Sequence, residues 1–195
     1  MNKFISDIRS TLVVTIIGVI VLCGIYPVAI WGLGQVMFHY QANGMLVTSK
    51  DGKTMYGSEI IGQQFSTNKY FNSRPSAAGS GYDSTQSGGT NLGPTSQKLH
   101  DSIAAAVTAY RQQNGLAANA LVPADAVTSS ASGLDPDISV KNAMLQAPRV
   151  AKARNMSLDQ VTALITKYTH GRDLGVFGDP HVNVLMLNLA LDGKI

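Results

Sequence analysis

The chain has a single cysteine, Cys23, and only 14% charged residues against 45% apolar ones. One thiol excludes a disulfide framework. Cys23 also lies within a long apolar run, so everything after that run has no thiol to oxidise, which fits a domain exported to an oxidising compartment such as a bacterial periplasm, as it fits many cytosolic domains. The four histidines, His39, His100, His170 and His181, are far apart in sequence, and Asp135-Pro136-Asp137 lacks the glycine and spaced oxygens of a calcium loop. Neither H-E-x-x-H nor G-x-S-x-G occurs, so no metalloprotease helix or nucleophile elbow is encoded. From His39 onward there are 13 basic and 11 acidic residues, scattered, and so slight an excess carries no electrostatic footprint for nucleic acid.

Long hydrophobic runs are not lacking. Residues 11–38 contain no charge, and "LVVTIIGVIVLCGIYPVAIW" is almost continuously apolar. As a helix, 28 residues reach about 40 Å, enough to cross a hydrocarbon core of about 30 Å. The run is too long for a signal-peptide core and is not followed by a small-residue cleavage site, which favours an uncleaved anchor. Pro27 is expected to kink this helix, and Trp31, His39 and Tyr40 suit the far interface. Lys3 and Arg9 precede it and no Lys or Arg follows until Lys50, so the positive-inside bias places residues 1–10 in the cytoplasm, 11–38 in the membrane and 39–195 in the periplasm. Gly18, Gly24, Gly32 and Gly34 are candidates for close approach by neighbouring helices.

The 157 residues of the outer domain are enough for one core. Residues 45–65 predict a hairpin turning at Asp51-Gly52. A stretch at about 76–96, with five Gly and five Ser and no apolar periodicity, reads as a long surface loop. Leu99, Ile103, Val107 and Tyr110 predict a helix stopped by Gly115. A second helix is expected over 140–154, with Ser139 as N-cap and Pro148 as a kink or break; a third follows the Ser157–Gln160 capping box. The closing "HVNVLMLNLALD" is apolar on both alternating faces and reads as a buried strand. The class is therefore α+β or α/β, a small sheet packed with about three helices.

Within the loop, "GGTNLGPT" is one residue short of a phosphate-binding loop. Gly88, Gly93 and Thr95 match, but Pro94 stands in the lysine position. Ser87, Gly88, Gly89, Gly93 and Thr95 are thus weak nucleotide candidates, against the plainer reading that these glycines allow a tight turn and close backbone approach. Ser66 and Lys69 match S-x-x-K, the pattern of an anchored acyl-transfer enzyme, although the companion K-T-G is absent and Lys53-Thr54-Met55 does not replace it. Arg74, Arg149 and Arg154 are suited to forked hydrogen bonds with carboxylates or carbonyls, either on a partner surface or in bracing long loops.

The segments "YFNSRPSAA", "SGGTNLGP", "VPADAVTSSASGLDP", "QAPRVAKAR" and "VNVLMLNLALD", in this order behind one apolar helix, resemble the C-subunit family of the Kdp potassium-transporting ATPase over the full length. The resemblance implies a high-affinity, ATP-driven potassium importer of the bacterial inner membrane. Its partners would be a channel-like A subunit, a P-type ATPase B subunit working through an aspartyl phosphate, and a very small F subunit. The complex would use ATP, Mg and K+, while this chain would bind no cofactor and act as an accessory, non-catalytic subunit. The family role also implied is that of a catalytic chaperone raising the ATP affinity of the B subunit. Under it, Arg74, Pro75, Asn91, Asp135, Arg149 and Arg154 become partner-interface candidates. A domain outside the membrane would exert that effect through its partners, not by touching cytosolic nucleotide. In one segment the family commonly reads D-P-H-I-S-P; here "DPDISV" puts Asp137 and Val140 in the places of the histidine and second proline.

Overall fold

The computed structural model describes residues 2–195, which divide into two compact units at Leu46 and Val47. In the first unit, α1 (Asn2–Val19) continues through a π-helical turn (Ile20–Ile25) into α2 (Tyr26–Met37), followed by the short α3 (His39–Ala42). The helix over Lys3–Met37 is long and apolar enough to cross a membrane. It begins before the uncharged run, so Lys3, Asp7 and Arg9 are helical as well. The sequence predicts a kink at Pro27; the structure shows the widened turn just ahead of it. Proline has no N–H and its ring clashes with the carbonyl four residues back, and the turn loosens the ladder at that place, with Tyr26 N–H donating to Val21 O.

The predicted hairpin, β1 (Leu46–Thr48) and β2 (Met55–Ser58), begins at the boundary and lies in the second unit from Val47 onward. Ser49 N–H donates to Thr54 O at 2.8 Å, and Gly52 supplies the left-handed residue of the turn. After β2 the chain runs without helix or strand to α4 (Gln97–Asn114), which Ser96 caps and left-handed Gly115 ends. A 3-10 turn (Ala124–Ala126) precedes β3 (Asp137–Ser139), which leads directly into α5 (Val140–Arg154). Ser139 caps α5 as predicted, but Pro148 does not break it. Both bonds of the capping box start α6 (Leu158–Lys167). Then come β4 (Thr169–His170), β5 (His181–Asn183) and α7 (Val184–Leu191). The three short strands form an antiparallel sheet in the order β3-β5-β4, with Ile138 opposite Val182 and Thr169 opposite Val182 on the other side.

The predicted C-terminal strand is corrected: only His181–Asn183 is extended, and the remainder is helical. Asn183 ends the strand and caps the helix, its Oδ1 accepting from Met186 N–H at 3.1 Å. A continuous apolar run does not distinguish a buried strand from a buried helix, because both cover every face. Here α7 lies between two groups of core side chains. Val184 and Leu187 join Phe71, Ile138, Val150, Val161, Ile165 and Val182, while Leu185 and Leu189 pack with Val47. The second unit is thus α+β, with helices on two small antiparallel sheets.

Candidate functional site

The irregular segment after the hairpin would leave its backbone groups unpaired when buried, a costly state. Two helices prevent this with amide side chains. Asn188 of α7 accepts from Phe71 N–H at 2.8 Å and donates to Phe71 O at 3.0 Å. On the other side, Gln146 of α5 accepts from Asn72 N–H at 2.7 Å and donates to Asn72 O at 3.1 Å. Each amide thus presents one donor and one acceptor to a single residue, as a neighbouring strand would. Gln146 also donates to Asn142, which receives the Tyr110 hydroxyl at 2.8 Å and donates to Asp125. Asp125 further accepts from Ser139 N–H and Oγ–H, tying the 3-10 turn to the start of α5. Burial, with the Asp125 charge nearby, pushes the Tyr110 phenol well above its usual range, so it remains a donor.

Arg149 is the hub. It is buried, and all five N–H donors are used: Nε on Asn114 Oδ1, Nη1 on Asn68 O and Tyr70 O, and Nη2 on Asn72 Oδ1 and Gln146 Oε1. No carboxylate is among these acceptors. Burial pushes its pKa down from the usual guanidinium range, and five oxygen dipoles stand in for a counter-ion. Arg154, one turn on, donates to Lys69 O, Leu191 O and Asp192 Oδ1, and its guanidinium sits 4.8 Å from the Tyr70 ring centre. Arg74 meets Asp135 at 2.7 Å, and Asp135 also accepts from Asp137 N–H. The arginines therefore direct these donors inward, onto the long irregular segments.

Asn72, Arg74, Tyr82, Tyr110, Asn142 and Gln146 border a cavity of about 330 Å³. The buried Nε of Arg74 has no hydrogen-bond partner among the described residues. Tyr82 donates to Arg74 O at 2.9 Å, and burial pushes its phenol up to about 12. Pro75 also lines this cavity.

The glycine loop lies against another backbone. Gly88 N–H and Ser87 Oγ–H both donate to Ser132 O, at 2.8 and 3.0 Å. A Cβ on Gly89 would stand 3.0 Å from Ala131 O; one on Gly133, at φ +68°, would stand 2.7 Å from Gly88 O and 2.8 Å from Ala78 N. Close backbone approach accounts for Gly89 and Gly133, whereas a Cβ on Gly88 or Gly93 would meet nothing within 4 Å. Gly93 O accepts from Ser96 N–H, Thr95 is exposed, and Asn91 takes a left-handed conformation at φ +53°.

Ser66 and Lys69 do not form a catalytic pair: both side chains are exposed and no hydrogen bond joins them among the described residues. Sequence spacing also hid one cluster. β4 and β5 stack His170 on His181 with ring centres 5.5 Å apart, and His181 Nε2 lies 3.9 Å from Asp137 Oδ2. Burial, helped by Asp135, raises the Asp137 pKa, while His181 and His170 oppose that rise. Among the described residues no group of three or more His, Cys, Asp or Glu is placed to hold a metal ion. Along the first unit, a Cβ on Gly18, Gly24 or Gly32 would meet nothing within 4 Å, and one on Gly34 would lie 3.8 Å from Ala42 Cβ.

The buried amides were not singled out from sequence, although Asn142 and Gln146 at four-residue spacing sit on the buried face of α5. Polar residues recurring on an apolar face are the signal that would have found them.

Comparison with known proteins adds a second kind of observation. The family model described as KdpC, K+-transporting ATPase, c chain, matches residues 8–193. The potassium-transporting ATPase KdpC subunit of Mycobacterium tuberculosis (strain ATCC 25618 / H37Rv) is 58% identical over 191 residues, 98% of each chain. The subunits of the same description from Allorhizobium ampelinum and Koribacter versatilis are 54% and 47% identical, covering 96% of this chain and 96% and 95% of theirs.

Proposed function

Because the chain belongs to the KdpC family, K+-transporting ATPase c chain, we propose that it is the accessory, non-catalytic subunit of an ATP-driven potassium importer. The observation that carries this reading is the extent of the match, residues 8–193, which takes in the apolar helix and the outer unit together. The partners are a channel-like subunit, a P-type ATPase subunit and a small stabilising subunit. Potassium, ATP and Mg belong to those chains. The anchor has its N-terminus in the cytoplasm, in keeping with Lys3 and Arg9 ahead of the apolar run, and the second unit lies in the periplasm of a bacterial inner membrane.

The inward use of Arg74, Arg149 and Arg154 supports a rigid scaffold more than an open catalytic site. The loop containing Ser87, Gly88, Gly89, Gly93 and Thr95 serves packing, since Ser87 and Gly88 bond to Ser132 O and the backbones approach too closely at Gly89 and Gly133 to leave room for a side chain. Any rise in the ATP affinity of the catalytic subunit passes through the partner chains.

The test is purification of the tagged full chain from its native membrane in mild detergent, with identification of co-purifying chains and assay of ATP hydrolysis. Recovery of a multi-subunit complex whose ATPase activity rises with potassium is the expected outcome. Recovery of this chain alone, without ATPase activity, overturns the reading.

A further inference from the structure

Between β4 and β5, residues 171–180 form a hairpin that carries three large apolar side chains into solvent: Leu174 is 89% exposed, Val176 70% and Phe177 65%. The exposure does not come from a loose chain. Asp173 N–H donates to Phe177 O and Phe177 N–H to Asp173 O, both at 2.9 Å, and Arg172 pairs with Asp179 at 3.0 Å near the base. The tip is therefore ordered before anything touches it, which removes much of the entropy cost of docking.

Its residue choice also runs against that of a free turn. Leu174 adopts φ +52°, a left-handed conformation that Gly or Asn takes far more easily. A leucine accepting that strain gains nothing from packing within its own chain, since nearly all of it is exposed. Its value then lies in a contact outside the chain.

Charge narrows the occupant. Arg172 is neutralised by Asp179, and the Asp173 carboxylate has no cationic partner among the described residues, so the hairpin carries a net negative charge beside its apolar tip. An anionic lipid surface repels such a tip, whereas a protein socket with an apolar floor and a Lys or Arg rim complements it. We propose that the 174–177 tip is a docking wedge for an apolar, basic-rimmed socket on the extracytoplasmic face of a larger subunit of the transport complex. This rests on the accessory-subunit reading.

The experiment uses the full complex. Leu174→p-benzoylphenylalanine and Val176→p-benzoylphenylalanine are introduced into the full chain, with Leu121→p-benzoylphenylalanine as an equally exposed control, and the purified complex is irradiated. A cross-link from 174 or 176, but not from 121, to one larger subunit is expected. Cross-links to lipid, to a second copy of this chain, or to nothing overturn the wedge. In parallel, Leu174→Ser with Phe177→Ser should lower retention of the chain by the other subunits at least tenfold, and Asp173→Lys at least threefold, with melting temperatures nearly unchanged because these side chains are mostly exposed. Full retention of both variants overturns the proposal. If the parent chain brings down no other subunit, the accessory-subunit reading itself fails, which is a separate result.

Discussion

At the scale of residues, Arg149 carries the sharpest consequence. Its five donors are shared among α4, α5, the backbone of residues 68 and 70 and the side chain of Asn72, and no carboxylate competes for them. Arg149→Ala should destabilise the second unit by about 3 kcal/mol or more, because several buried acceptors lose their donor at once. Arg149→Lys should recover little, since one ammonium cannot span acceptors laid out for a planar fork. A thermal melt of the full chain in detergent checks both. From sequence, this arginine was legible as a forked donor but not as a buried one. Its acceptors lie up to 81 residues away, and only the tertiary fold decides whether such a donor faces inward or toward a partner.

Elements were legible where local chemistry terminates them. Ser139 and Ser157 cap their helices as expected, Ser96 caps the helix expected after it, and Gly115, the expected stop, ends its helix in a left-handed conformation. The last element was not legible, because α7 is apolar on every side and its only start signal is Asn183, embedded in the run itself. Departure from the family pattern can be read at this scale too. Val140 is the first residue of α5, a position where the N–H has no helical partner, and Ser139 before it has φ −64° and ψ 148°, a conformation that precedes proline without clash. Val140→Pro, which introduces the proline that the resemblance implies here, should therefore fold normally and raise stability by about 0.5 kcal/mol, through a stiffer unfolded chain. Chemical denaturation of parent and variant side by side measures the difference; a loss of more than about 1 kcal/mol would contradict it.

For the whole molecule, the end of the chain is tied back across the second unit. Asp192 accepts from Arg154 and from the Tyr70 hydroxyl and lies 3.6 Å from Lys194. Burial alone would raise its pKa, but the Arg154 and Tyr70 hydrogen bonds and the neighbouring cations outweigh it, and the net displacement is downward from 3.8. A carboxylate with a depressed folded pKa gives stability that is present above its unfolded pKa and lost as pH falls through the folded one. Stability should thus decline below about pH 4, and Asp192→Asn should cost about 1–2 kcal/mol near neutrality while flattening that acid limb. Melting temperatures between acid and neutral pH read both effects. The long apolar helix, a small α+β unit after it and the family were legible in the sequence. The layout of the amide hub was not, since it depends on segments that share no local pattern.

The π-helical turn at Ile20–Ile25 has a consequence for how the anchor is read. One extra residue in a turn rotates everything beyond it by about 100° relative to an uninterrupted α-helix. Gly18 precedes the turn, Gly24 lies inside it, and Gly32 and Gly34 follow it. Counted along an ideal helix, Gly18 and Gly32 lie about 40° apart; with the inserted residue they lie about 140° apart, on different sides of the rod. Two separate neighbours, one above the turn and one below, can each find a smooth patch on this anchor, where a single straight neighbour would find only one.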